Sequence, residues 1–339
     1  MKIPDFRRFY GLAAVALFLS GFLFAQIFQS PRPPLKPAPE SMMGLTDLHV
    51  TKLEPSPLPA PVIEQAPAPA PAPDVSPPVT SLVEEAPEQL WKKNAVAVTV
   101  PEGFSKIVLI IDDIGVDHRH SDEAVALPGP LTLSFLPYAK HLDKQAKNGR
   151  DHGHELMIHM PMEPLDPDLD TGPMLLHEGM TPEEFETTLN KALSAFDGYV
   201  GLNNHMGSRL TRDRGAMEHL MDILRKRGLL FVDSRTTSNS VAANVAATYG
   251  LPHISRDVFL DDDPAPEKIR QSLAHLELVA RKRGYAVAIG HPRPHTIKAL
   301  KEWLPTLKDK KLALVPVSAV VKVTAQRQPD RTFSSADRR

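Results

Sequence analysis

Short apolar segments alternate with longer amphipathic segments over the second two-thirds of the chain. The segments SKIVLIIDDIG, HELMIHMPM, LLFVDSRT and YAVAIGHP are rich in β-branched and other apolar residues, which is typical of strands buried in a parallel sheet. Between them lie helical patterns such as TPEEFETTLNKALSAF, which begins at the N-cap residue Thr181, and RGAMEHLMDILRKRG, which ends at Gly228. This alternation predicts an α/β fold with a parallel sheet, either open or closed into a barrel.

The remaining predicted elements continue the same order. Strands are predicted at GPLTLSFLPYA, YVGLNNHMGS, PHISRDVFLDD and LALVPVSAVV. Helices are predicted at SVAANVAATYG, APEKIRQSLAHLELVARKRG and HTIKALKEWLPTLKDKK.

The N-terminal segment, residues 1–30, is predicted to be a membrane anchor. An uncharged apolar run from Tyr10 to Phe28 is long enough to cross a bilayer, and it follows the basic residues Lys2, Arg7 and Arg8. The basic flank belongs on the cytoplasmic side of a bacterial inner membrane, which places the rest of the chain in the periplasm. The alternative is a cleaved signal peptide and a secreted protein.

Three further segments follow from composition. Residues 31–96 are rich in Pro and Ala, so they are predicted to form a disordered linker that favours extended polyproline II. Residues 97–324 contain the strand–helix alternation and are predicted to form one globular domain. Residues 325–339 are polar, and a disordered tail is predicted there.

Charge and cysteine content limit the partners and the metal ligands that are expected for this chain. With 39 Lys+Arg against 41 Asp+Glu, the chain has no excess of positive charge, and no nucleic-acid partner is expected. The chain contains no cysteine, so a metal ion would be held by histidine and carboxylate side chains.

Polar and ionisable residues follow the predicted strands at their carboxyl ends, where parallel α/β folds place their ligand sites. They are Asp112, Asp113, His159, His205, Asp233, Ser234, Arg235, Asp261 and His291. Taken singly, each has a structural alternative, since Asp113 is a suitable helix N-cap and a lone histidine is often a core residue. Taken together, one aspartate and two histidines would form an open metal site with a free position for water or substrate.

Five segments carry a family resemblance. KIVLIIDDIG, DHGHELMIHMPMEP, GLNNHMGSRLT, FVDSRT and AIGHPRPHT together resemble the divergent polysaccharide deacetylases, over roughly residues 104–323. The resemblance implies a distorted (β/α) barrel and a divalent metal, usually zinc. It further implies that the partner is an acetylated polysaccharide of the cell envelope.

The resemblance also implies roles for individual residues. Asp112 corresponds to the catalytic base and His291 to the general acid, while Asp113 and His159 correspond to metal ligands. The mainstream family has a second histidine where this chain has Glu163, and His205 is expected to replace that ligand. The residues expected to support the site are Asp233, Arg235, Glu163 and Asn204.

These assignments lead to a hypothesis with two rivals. The metal would polarise an acetyl carbonyl and activate water, Asp112 would accept the proton of that water, and His291 would protonate the leaving group. One rival is a non-catalytic envelope protein that binds glycan or a protein partner in the barrel cleft. The other is a metal-dependent glycosidase, which is disfavoured because the sequence shows no separated acid pair.

Overall fold

The computed structural model describes residues 89–321, which form an α/β fold around a parallel sheet of nine strands. The strands are β1 Ser105–Ile114, β2 Thr132–Phe135, β3 Glu155–Met162, β4 Tyr199–Met206, β5 Leu230–Asp233, β6 His253–Ser255, β7 Val258–Phe259, β8 Tyr285–Gly290 and β9 Leu312–Val315. The α-helices are α1 Leu90–Lys93, α2 His118–Val125, α3 Leu142–Asp151, α4 Pro182–Leu193, α5 Arg214–Lys226, α6 Ala242–Thr248, α7 Pro266–Arg283 and α8 Pro294–Trp303.

The sheet is curled into an incompletely closed barrel. Its strands follow the order β6-β5-β4-β3-β2-β1-β8-β7, and β9 pairs only with the first part of β1. The two edge strands, β6 and β7, are separated in the chain by only Arg256 and Asp257. That connection spans at most about 11 Å, so the two edges must approach each other. The predicted parallel α/β sheet is therefore confirmed, and its curvature agrees with the expected distorted barrel.

The edges of the barrel differ from the sequence prediction at PHISRDVFLDD. This segment was expected to be one strand, but it forms β6 and β7 at opposite ends of the strand order. The chain changes partners at Asp257, whose backbone N–H donates to Val287 O over 2.8 Å. The Asp257 carboxylate also accepts a hydrogen bond from the Val287 N–H, so the crossing point is fixed to β8.

The two faces of the sheet bury separate apolar clusters. Helix residues such as Leu220 pack with one strand face, to which Ile107 and Leu109 belong. The opposite face, with Val108 and Ile110, forms a cluster of strand residues that fills the barrel interior. Its other strand members are Met157, Val200, Leu230, Val232, Ile254, Val287, Ile289 and Val315. Even-numbered residues in the middle of β1 therefore point into the barrel.

Apart from the short α1, the helices absent from the sequence-based prediction are α2 and α3. Helix α2 begins after the N-cap Asp117, whose carboxylate accepts from the His120 N–H. Helix α3 buries Leu142, Gln145, Ala146 and Gly149. That spacing is helical, but glutamine and glycine occupy two of the four buried positions, so the apolar pattern is weak.

The N-terminal boundary also differs from the prediction. Residues 89–96 were expected to end the disordered linker, but they include α1 and are bonded to the domain. The Trp91 N–H donates to Gly228 O, Asn94 Nδ2 donates to Tyr199 O, and the Val96 N–H donates to the Glu155 carboxylate.

The other N- and C-terminal predictions concern residues beyond this range. The anchor at residues 1–30, the linker up to residue 88 and the tail at residues 325–339 lie outside the described residues. Across residues 89–321, no helix has both the length and the apolar character that a membrane span requires.

Candidate metal centre

The adjacent aspartates occupy an irregular end of β1. Between Ile111 and Ile114, β1 contains one more residue than the facing part of β2, which is a β-bulge. Asp113 has a φ of 57°, in the left-handed region that Asp tolerates better than most residues. Asp112 continues the inward alternation of Val108 and Ile110, and the bulge turns the next residue inward as well. Both carboxylates therefore reach the same rim of the barrel.

The two histidines come from neighbouring strands. His159 on β3 pairs in register with Asn203 on β4, and His205 lies two residues further along β4. Because side chains repeat every two residues in a strand, His205 and Asn203 lie on the same face. Their rim is the one reached by Asp112 and Asp113.

Three ligand-type atoms converge at this rim. Asp113 Oδ1 lies 3.3 Å from His159 Nε2 and 2.9 Å from His205 Nδ1, and the two ring nitrogens are 3.1 Å apart. For a tetrahedral zinc ion with bonds of 2.0–2.2 Å, ligand atoms are about 3.3 Å apart. Asp113, His159 and His205 are the one group of potential metal ligands found among the described residues. The structure thus brings the three predicted ligands together.

The chemistry of these atoms also fits a cation. Asp113 Oδ1 is buried and has no hydrogen bond of suitable geometry, although His205 Nδ1 lies within ion-pair distance. A buried carboxylate oxygen without a donor is costly unless positive charge compensates it. The residues present therefore fit a divalent cation bound among the three atoms.

Electrostatics at Asp113 favour the charged carboxylate. Burial alone would raise its pKa, but the His159 and His205 rings hold the pKa of Asp113 well below its ordinary value. At Asp112 the balance is opposite, since burial dominates and raises the pKa of this carboxyl. The two adjacent aspartates are therefore in different environments, as expected when two carboxyl groups have different tasks.

A second pair lies beside the three ligand-type atoms. His291 follows β8, and its Nδ1 lies 2.9 Å from Asp261 Oδ1, while its Nε2 lies 3.8 Å from Asp113 Oδ2. Asp261 is fully buried and also accepts from the His291 N–H and the Thr296 hydroxyl. Burial opposes protonation of His291, but Asp261 and the two rim aspartates raise the pKa of the ring. His291 is therefore suited to hold a proton at Nε2, facing the rim.

The chain is similar to proteins of known sequence and structure. A family model described as divergent polysaccharide deacetylase matches residues 109–321. The chain belongs to this family. A protein of Haemophilus influenzae, described as uncharacterized, is 35% identical over 207 residues, which are 60% of this chain and 73% of that protein. The uncharacterized protein YibQ of Escherichia coli is 32% identical over 226 residues, covering 66% of this chain and 70% of that protein.

A solved structure is also similar. It is the uncharacterized protein ATU2773 from Agrobacterium tumefaciens, which is 26% identical. The two structures superimpose with a TM-score of 0.66 over 68% of this chain and 94% of that chain. This likeness extends over most of the residues that the structure describes.

Among the described residues of this divergent deacetylase domain, none of the four side chains expected to support the site forms a hydrogen bond or an ion pair with the three ligand-type atoms. The Asn204 side chain accepts from the Ser234 N–H and donates to Met206 O, so it holds the strand ends together. Asp233 accepts from the Arg235 N–H and the Ser240 hydroxyl, which shapes the turn after β5.

Arg235 and Glu163 also lie away from the three ligand-type atoms. The Arg235 side chain is exposed, and its backbone has a φ of 49°. Glu163 accepts from the Glu178 N–H and pairs with Arg209, which anchors the loop after β3. Within residues 89–321, neither side chain forms a hydrogen bond or an ion pair with Asp113, and Glu163 instead holds the loop after β3.

Sequence reasoning missed the residue with the most contacts in the site, Asn203. Its amide contacts His159, both oxygens of Asp112, and the hydroxyl groups of Ser134 and Ser234. The period-2 alternation of β4 could have identified it, because Asn203 shares a face with His205 whereas Asn204 does not. Asp261 and His291 each follow a predicted strand, but the sequence does not show that β7 and β8 are neighbours, so their pairing was not predicted.

Proposed function

We propose that this domain is a metal-dependent hydrolase that removes acetyl groups from a polysaccharide of the cell envelope. The observation that carries the proposal is the compact triangle of Asp113, His159 and His205 beside a buried carboxyl and a paired histidine. A divalent cation, with zinc expected, would polarise the acetyl carbonyl and activate water when bound there. The family's description as polysaccharide deacetylases supports a glycan substrate.

The residues of this chain supply the proton transfers. Asp112 is buried at 3% exposure and lies beside the ligand triangle, with Oδ2 3.6 Å from His159 Nε2. Its raised pKa makes it a better proton acceptor than an ordinary aspartate. His291 holds a proton at Nε2 while its Nδ1 is fixed by Asp261, so it is placed to protonate the leaving amine or alcohol.

The cellular location is part of the same proposal. Residues 1–30 anchor the protein in the bacterial inner membrane and the linker extends the domain into the periplasm, or the segment is cleaved and the protein is secreted. Either location gives the domain access to acetylated envelope glycans.

The test combines metal content with acetate release from acetylated cell-wall glycans. The purified protein is expected to hold close to one equivalent of zinc and to release acetate. Asp112→Asn should retain zinc and lose acetate release by about 10²–10⁴-fold, as expected for a lost general base. His205→Ala should lose zinc, while His152→Ala, which removes an exposed histidine on a distant helix end, should keep it. Equal zinc content in wild type and His205→Ala would contradict the assigned ligands.

A second candidate is a non-catalytic domain that binds envelope glycan. Glu163 favours it, because the residue at the place of the mainstream histidine is bonded to loop residues instead of a metal site. The same experiment separates the candidates. Zinc binding without acetate release from any acetylated glycan, together with retention of the protein on those glycans, would favour the binding domain.

A further inference from the structure

The side chain of Asn203 has all its hydrogen-bonding capacity engaged inside the site. Asn203 is fully buried. Its Oδ1 lies 2.5 Å from Ser134 Oγ and 2.8 Å from His159 Nδ1. Its Nδ2 lies 2.9 Å and 3.1 Å from the two oxygens of Asp112, and 3.1 Å from Ser234 Oγ. One amide therefore connects a proposed metal ligand to the proposed base.

The orientation of this amide follows from its partners. A carboxylate only accepts hydrogen bonds, so the NH₂ group of Asn203 must face Asp112. The amide oxygen then faces His159, and Nδ1 of that ring must carry a hydrogen to donate to it. With Nδ1 protonated, Nε2 is the nitrogen left to bind a cation, and it is the atom 3.3 Å from Asp113 Oδ1.

We propose that Asn203 is a positioning residue with two separable tasks: its oxygen fixes His159 as a metal ligand through Nε2, and its NH₂ group holds Asp112 beside the ligands. The inference rests on the proposed function, which gives His159 and Asp112 their roles. Only an amide carries an acceptor and two donors on one short side chain. An aspartate at this position retains the acceptor task and loses the donor task, so the two are separable by a single nearly isosteric substitution.

A purely structural role for Asn203 predicts a different result. If the amide served only to satisfy buried groups, its variants would lower stability and change zinc affinity and activity together. The remaining partners of the amide, Ser134 and Ser234, are hydroxyl groups that can rotate to other acceptors or donors. The directional constraint therefore falls on His159 and Asp112.

The experiment compares Asn203→Asp and Asn203→Ala with wild type in the full-length protein. Asn94→Ala is the matched control, since Asn94 bonds Tyr199 O at the other end of the same strand, β4. Three properties are measured: the Nδ1–H resonance of His159 by nitrogen-detected NMR of the metal-free protein, zinc affinity by competition with a chelator, and acetate release. Thermal unfolding confirms that each variant is folded.

Asn203→Asp is expected to keep the His159 Nδ1–H and a zinc affinity within about threefold of wild type. Its acetate release should fall by at least about 10²-fold, because the new carboxyl group either repels Asp112 or shares a proton with it. Asn203→Ala should lose the held Nδ1–H and bind zinc about 10–100-fold more weakly, the usual effect of removing the partner of a ligating histidine. Asn94→Ala should match wild type in all three.

Two results would overturn the inference. One is wild-type zinc affinity and an unchanged Nδ1–H in Asn203→Ala, and the other is wild-type acetate release in Asn203→Asp. If the wild type itself releases no acetate, the proposed deacetylation fails, while the NMR and zinc measurements still decide whether Asn203 orients His159.

Discussion

The left-handed backbone at Asp113 predicts an unusual order of stability for two substitutions there. In an ordinary strand, a protein with glycine is less stable than the same protein with alanine by about 0.5–1 kcal/mol. At a φ of 57°, alanine carries the cost of the left-handed region, about 1–2 kcal/mol, and glycine does not. Asp113→Gly should therefore be more stable than Asp113→Ala by roughly 0.5–1 kcal/mol. Both variants lack the carboxylate, so their difference reports the backbone alone.

The assay is urea unfolding in the presence of a chelator, monitored by circular dichroism. Melting temperatures provide a second measure of stability. A difference of this size corresponds to roughly 1–4 °C in a domain of this length. The same pair of substitutions at Ser105, at the regular start of β1, should give the opposite order. If Asp113→Ala is at least as stable as Asp113→Gly, β1 has no bulge of this kind, and the explanation for two carboxylates on one rim is refuted.

Three further predictions concern other parts of the domain. Asp261→Asn should reduce acetate release by about 10²-fold and leave zinc affinity unchanged, because it removes the charge that holds a proton on His291; unchanged acetate release would argue against His291 as the acid. Gly201→Ala should destabilise the fold by about 3 kcal/mol, because its new Cβ would lie 2.1 Å from Leu230 O. Gly215→Ala in α5 should instead stabilise the fold slightly, because alanine favours helix more than glycine does. Equal unfolding midpoints for the two variants would contradict this prediction. Burial raises the pKa of the Glu155 carboxyl above its ordinary 4.5, although hydrogen bonds from Ser318 lower the pKa in part. Its contribution to stability is therefore full below pH 4.5 and is lost as the pH rises through the raised pKa. As the pH rises from 4.5 through the raised pKa of Glu155, the wild type should lose stability relative to Glu155→Gln. A stability difference between the two proteins that does not change with pH would contradict the raised pKa.

Much of the architecture could be predicted because strand and helix periodicities are strong in this chain. The apolar strands and the amphipathic helices from α4 onward follow their patterns, and the carboxyl-end rule locates the rim. His159 and His205 lie towards the carboxyl ends of the adjacent strands β3 and β4, so their proximity is a consequence of parallel topology.

The rest depends on information that local pattern does not carry. Helix α3 was missed because glycine occupies the buried position 149, where Leu133 and Leu156 leave little space for a side chain, and this removes an apolar position from the pattern. The division of β6 from β7 depends on pairing with β5 and β8, which are distant in the chain. The bulge at Asp113 depends on the register of β1 against β2, and no residue type in the sequence indicates it.

The central claim is that Asp113, His159 and His205 hold one divalent cation at the carboxyl rim of the barrel. The most direct measurement is anomalous diffraction at the zinc absorption edge from crystals of the protein grown with zinc. We expect a single strong peak bonded to Asp113 Oδ1, His159 Nε2 and His205 Nδ1 at about 2.0–2.2 Å. A map with no peak among these three atoms, or with zinc bound only elsewhere, would contradict the account.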